Sequence, residues 1–191
     1  MRRPDRIIIV ILLLLAVVLM NSCQKHYDSK YMVPSLDDLE IKSGNTTLNV
    51  ADVKVDEKKM PVTGFPPKQL TGKTFKEALI NTLDNSGIFR KVGGFIDSKY
   101  DYVLYTFIIS HKFDATYHPD MLLSATLVVN YRLIQTTSNK VIWKETIFSQ
   151  YETMEGSAFK RVQLVTNEVI KENLTELVKK LSAVLNQYNS V

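Results

Sequence analysis

The sequence predicts an α+β domain, with an antiparallel-rich sheet of about four strands and two helices mainly on one face. The expected order is β-α-β-β-β-α, preceded by a signal peptide and a tether. Three observations carry this. Residues 122–135 alternate, with one phase apolar throughout from Leu123 to Leu133 and Ser124, Thr126, Asn130 and Arg132 pointing the other way. Two further β-rich runs, 101–113 and 141–151, flank them, the second joined by a turn at Thr136–Lys140. Residues 74–86 and 157–187 instead space their apolar side chains at helical intervals.

The chain of 191 residues begins with Arg2, Arg3 and Arg6, then an unbroken apolar run from Ile7 to Met20. A basic segment followed by a short apolar one is the layout of a secretory signal. As helix the run would reach about 21 Å, against a hydrocarbon core of about 30 Å, so it suits a cleaved signal better than a permanent span. Asn21, Ser22, Gln24 and Lys25 stop its extension. Removing residues 1–22 takes away three arginines and one aspartate, and the net charge falls from +4 to +2. The mature body therefore carries no compositional argument for nucleic acid or an anionic surface as partner.

Cys23 is the only cysteine. It cannot form an internal disulfide, and a free thiol is a liability in an oxidising compartment. It stands directly behind the apolar run, after Leu19-Met20-Asn21-Ser22. That arrangement resembles the bacterial lipobox, with Ser22 as the small residue before the cysteine, Met20 as an acceptable apolar residue and Asn21 as a departure from the pattern. The resemblance implies a diacylglyceryl thioether on Cys23, cleavage before it and acylation of the new terminus. Two or more acyl chains hold a protein to a bilayer where one holds it only marginally. By resemblance to lipoprotein sorting, Gln24 in place of Asp after the cysteine directs the protein to the outer membrane. An inner-membrane anchor and release into the periplasm are the alternatives.

The domain plan follows: signal peptide 1–22, lipidated N-terminus and tether 23–46, and a single periplasmic α+β domain 47–191. The tether is polar and without period, with a segment around Tyr31–Ile41 that could dock on the body. Residues 47–55 form a strand whose apolar phase slips at Ala51-Asp52, as at a bulge. Thr74 with Glu77 makes a capping box that opens the first helix, Phe75, Leu79 and Leu83 share its inner face, and Gly87 ends it. In residues 101–113, Tyr102, Leu104 and Ile108 oppose Val103, Tyr105, Phe107 and Ile109. In residues 122–135, Leu123, Ala125, Leu127, Val129, Tyr131 and Leu133 face the core. The final helix, opened by Gly156-Ser157, turns Val162, Val169, Leu174, Leu177, Leu181 and Val184 inward.

Few residues suggest chemistry. Thr71-Gly72-Lys73-Thr74 imitates the end of a phosphate-binding loop, but Pro67 stands where that motif needs glycine. His111, Asp114, His118 and Asp120 have ligand types without a standard metal spacing, and are read as solvated residues of a strand end and connector. Ser157 lacks a nucleophile elbow and suits a helix cap. Asp37-Asp38 lie in the tether. Trp143 and the tyrosines around the sheet suit ordinary strand composition, with an exposed binding face as the alternative. We therefore expect no enzyme, no catalytic residue, no metal and no cofactor. Cys23 is the one expected modification site.

Several stretches resemble small bacterial envelope lipoproteins: Ser86-Gly87-Ile88-Phe89-Arg90-Lys91-Val92, Asp101-Tyr102-Val103-Leu104, and Tyr131-Arg132-Leu133 with Val141-Ile142-Trp143. These families include the auxiliary lipoproteins of ABC-type lipid transport, the lipopolysaccharide-assembly lipoprotein, and the curli-secretion and penicillin-binding-protein-activator lipoproteins. The resemblance spans residues 74 to about 185 and concerns fold, which does not determine function. It implies a non-enzymatic accessory of envelope transport or assembly. The expected partners are the membrane, through Cys23, and another envelope protein, with no nucleic acid. A lipid or lipopolysaccharide ligand between sheet and helices, and a structural tether, are the alternatives.

Overall fold

The computed structural model describes residues 28–56, 70–94, 100–115 and 122–188. A 3-10 turn, Ser29–Met32, precedes β1 (Thr47–Val50), β2 (Lys54–Val55), helix α1 (Gly72–Ser86) and β3 (Lys91–Gly93). Three long strands follow, β4 (Tyr102–Ala115), β5 (Leu123–Gln135) and β6 (Lys140–Thr153), and then helix α2 (Ala158–Tyr188). The signal, Cys23, His118 and Asp120 lie outside the described residues. No described helix is long and apolar enough to cross a membrane.

The expected four-strand, antiparallel-rich sheet is corrected to six strands in a mixed sheet, ordered β3-β1-β4-β5-β6 with β2 also on β4. The element order is β-β-α-β-β-β-β-α. The extra strands arise in two ways. The run 47–55 leaves the ladder where its phase slips: four steps from Val50 to Lys54 oppose three from Leu104 to Phe107. One residue too many breaks the strand in two, as bulges do. Strand β3 has three residues, too few to show a period. It and β4 pair with β1 in parallel, across the crossover that contains α1.

Helix α1 starts three residues earlier than the capping box predicts. Thr71, not Thr74, is the N-cap, and its hydroxyl accepts the Thr74 N–H at 3.1 Å. Gly87 ends the helix at φ 67°, a left-handed conformation that favours glycine. Ser86 Oγ donates to the Leu83 carbonyl at 2.7 Å. Phe89 turns back into the core and meets Tyr102 edge-on, ring centroids 6.4 Å apart.

Both helices bury their apolar sides in one core with the inner face of the sheet. Ala125, Leu127, Val129, Tyr131 and Leu133 of β5 are fully buried, as the alternation predicts. On α2 the inward set is Val165, Val169, Ile170, Leu174, Leu177, Val178, Leu181 and Leu185, while the expected Val162 and Val184 are half-buried at its flanks. Polar cross-links pass through this interface. The Tyr131 hydroxyl and Asn173 Oδ1 lie 2.7 Å apart, Asn173 Nδ2 donates to the Ile147 carbonyl and reaches Ser149 Oγ, and Ser149 Oγ donates to the Val169 carbonyl at 3.0 Å.

The segment from Asp28 to Thr46 lies against this body. Met32 is fully buried, and Leu36, Leu39 and Ile41 pack on the core. The 3-10 turn touches both helices. Gly44 donates its N–H to the Gly87 carbonyl, and a Cβ there would sit 1.9 Å from the Ile88 carbonyl oxygen, so only glycine allows the approach.

Candidate docking surface

His111 does not sit where the sequence suggests. It is buried on β4, not solvated, and a bulge explains why. Between Ile108 and Ser110 the β4–β5 register skips one residue. The inner face thereby passes from Tyr102, Leu104, Thr106 and Ile108 to His111 and Phe113. The imidazole is 2% exposed, meets the Phe113 ring edge at 4.6 Å between centroids, and its Nε2 has no hydrogen-bond partner. Burial pushes its pKa down to about 4, so it is neutral at ordinary pH. Asp114 is exposed on the same strand, on the opposite face. No group of three or more His, Cys, Asp or Glu suited to a metal occurs among the described residues.

The motif residues behind the lipoprotein resemblance do structural work. Asp101 Oδ2 accepts the Thr47 N–H at 2.7 Å and the Thr47 hydroxyl at 2.8 Å, and Asp101 N–H returns a bond to Thr47 Oγ1. This joins the starts of β1 and β4. Ser86, Gly87 and Phe89 make the turn out of α1. None of them forms a reactive constellation.

The outer face of the sheet has two regions. At its β3–β1 end Asn49 is fully buried, with both side-chain polar atoms lacking partners, and Tyr100 lies over Gly93 with Lys91 Nζ 5.6 Å from its ring centroid. Across β4, β5 and β6 the face is open. Paired rows run Val103–Ile134–Val141, Tyr105–Arg132–Lys144, Phe107–Asn130–Thr146, Ser110–Val128–Phe148 and Lys112–Thr126–Gln150. Phe148 is 62% exposed, Val141 44%, Tyr105 42% and Phe107 39%. Ile109, Val128 and Ile134 are half-buried between them. The Arg132 guanidinium lies 5.2 Å from the Tyr105 centroid, a cation–π contact. Aromatic rings interleaved with a guanidinium on a rigid sheet are the residue types enriched in protein contact surfaces.

Sequence reasoning placed Tyr105, Phe107, Ile109 and Arg132 away from the core but did not single out Phe148 or Val141. Their signal was available in the register: each is an apolar residue in the phase opposite the core.

At the free edge of β6, α2 supplies charged side chains. Lys180 pairs with Glu145 and, at 3.5 Å, with Glu176. Glu172 accepts the Gln150 backbone N–H. Burial raises its pKa and the nearby Glu168 adds to this, while that hydrogen bond opposes them. Guarded edges of this kind discourage strand-to-strand association.

No family model matches the sequence, and no curated protein matches it. Among solved structures the chain is similar to protein XCC0632 from Xanthomonas campestris, of the family model DUF330, with 16% identity, 84% of this chain and 95% of that chain covered, and a TM-score of 0.63. It is similar to a Helicobacter pylori protein named as a homolog of a neuraminyllactose-binding hemagglutinin, with 13% identity, 84% and 98% covered, and a TM-score of 0.57. It is also similar to CT253 from Chlamydia trachomatis, with 13% identity, 71% and 96% covered, and a TM-score of 0.52. At these identities the likeness is one of fold: the chain has the same α+β architecture as these bacterial proteins.

Proposed function

We propose that this chain is a non-enzymatic envelope lipoprotein, held at the outer membrane by lipid on Cys23 and facing the periplasm, that assists transport or assembly by contact with another protein. The observation that carries the reading is the open aromatic face across β4, β5 and β6. Four large apolar side chains there are 39–62% exposed on a sheet whose other face is sealed. Exposed clusters of this kind mark interaction sites. The export signal and the placement of Cys23 support the address.

A lipid held between sheet and helices is opposed by the hydrogen bonds that cross that interface. Tyr131, Asn173 and Ser149 tie β5, β6 and α2 together where an acyl chain would have to lie. The groove along the β6 edge, lined by Glu145, Phe148, Glu172, Glu176 and Lys180, is charged.

Two measurements test the proposal. Mass spectrometry of the mature N-terminus should find an acylated Cys23, and an unmodified terminus at another residue would refute the lipoprotein reading. In a complementation assay, Tyr105, Phe107 and Phe148 changed together to serine should abolish activity while the protein still accumulates. Full activity of that variant would remove the face from the function.

A further inference from the structure

We propose that the open sheet face is turned away from the anchoring membrane and docks an acidic, apolar segment of a partner protein. This rests on the lipoprotein reading above and adds the chemistry of the partner and the side from which it approaches.

Charge is the first argument. Lys54 stands beside Phe107, on the same side as Lys112, Arg132 and Lys144, and all four cations are exposed. Among the described residues of the β4–β5–β6 rows from Val103 to Lys112 there is no acid, and on the β2 side Asp56 follows two residues beyond Lys54. Asp114 and Glu152 begin only at the far end, two residues beyond Lys112 and Gln150. The mature chain is nearly neutral, so this is a local segregation of charge. A partner that buries Tyr105, Phe107 and Phe148 must bring carboxylates to the surrounding cations. A second copy of this chain meets the requirement badly, since apposing two such faces sets like charges against each other.

The anchor is the second argument. An acidic segment and an anionic bilayer offer similar chemistry, and position separates them. The chain from Asp28 onward is docked on the helices, and Pro34 and Ser35 border α2 near Glu168, Lys171 and Lys179. Five residue steps separate Cys23 from Asp28, a reach of about 18 Å at most. A lipid on Cys23 therefore holds the helical side nearest the bilayer. The cationic face lies on the other side of the sheet and points into the compartment, where a protein and not the anchoring bilayer meets it.

The single cysteine makes the test clean. With Cys23 consumed as a thioether, an added cysteine is the only thiol. Thr146→Cys, on the open face, and Lys179→Cys, on the helical side, are labelled with benzophenone maleimide in isolated envelopes and irradiated. Labelling of the wild type would mean a free Cys23, which refutes the lipoprotein reading and with it the orientation. With the wild type unlabelled, the Thr146→Cys probe should cross-link a protein within a segment rich in Asp or Glu and apolar residues, and the Lys179→Cys probe should cross-link lipid. Adding Arg132→Glu and Lys144→Glu should cut the Thr146→Cys adduct at least about tenfold, and changing the partner's mapped carboxylates to lysine should restore it. A lipid adduct at Thr146→Cys, an adduct with a second copy, a partner segment without carboxylates, or no adduct would each overturn the proposal.

Discussion

The two faces of β5 share one backbone and lead different lives. Inward, Ala125, Leu127, Val129, Tyr131 and Leu133 are all sealed under α2 and its neighbours. Outward, Thr126, Val128, Asn130 and Ile134 are only partly covered, and Arg132 is open. The inner side has its partners within the chain, down to the hydroxyl of Tyr131. The outer side has apolar content beyond what a solvated sheet face needs. The inner face answers to folding, and the outer one is the face we propose for docking.

The largest expected effect is on the inner face. Leu127→Ala should destabilise the domain by about 2–5 kcal/mol, as for other buried large-to-small changes. Its outward neighbour Thr126→Ala should cost under about 1 kcal/mol. Urea melts of the two variants check this, and equal shifts would break the distinction between faces.

Acid should reach the inner face through His111. Its folded pKa is about 4, below the usual 6.5 or so. As pH falls below about 6.5 the unfolded chain takes up the proton first, and stability drains until about pH 4, by about 3 kcal/mol in all. His111→Leu should flatten this limb relative to the wild type, measured as melting midpoint against pH. Parallel curves for the two proteins would show that His111 is not the group responsible. Because His111 fills part of the core, its removal should cost stability, whereas Asp114 is exposed.

Next in size is Asn173→Ala, expected to cost about 1–3 kcal/mol because the Tyr131 hydroxyl is left buried without its partner. Tyr131→Phe in the same background should recover part of that loss, since it removes the stranded hydroxyl. Absence of recovery would mean that Asn173 matters for packing alone. The smallest effect belongs outside. Arg132→Glu with Lys144→Glu should change stability by less than about 0.5 kcal/mol while removing partner contact. A large shift in the melt would mean that this face also contributes to folding.

What could be read ahead of the structure was whatever repeats locally. The alternation of β5, the turn into β6, the glycine stop at Gly87 and the length of α2 all show within a few residues of themselves. What escaped depends on partners distant in the chain. Strand β3 exists because Thr47–Asn49 lies beside it. The parallel pairing of β1 with β4 requires a crossover that no periodicity announces. The burial of His111 turns on a single skipped residue near Ile109, which inverts the facing of everything after it. The same holds for the candidate surface: its aromatic residues on β4 and the outward facing of Arg132 were legible, but Phe148 and Val141 joined them only through register.

If Cys23 carries the lipid proposed above, the docked N-terminal segment gives that anchor a mechanical character. While Met32, Leu36 and Ile41 stay seated on the core, a pull on that lipid would pass directly into it. If the segment peels away as far as Thr46, the leash lengthens from about 18 Å to about 80 Å. Stand-off from the bilayer would then be set by how firmly Met32 and Gly44 are held, and the segment would act as an extensible spring with the side chain of one methionine as the catch.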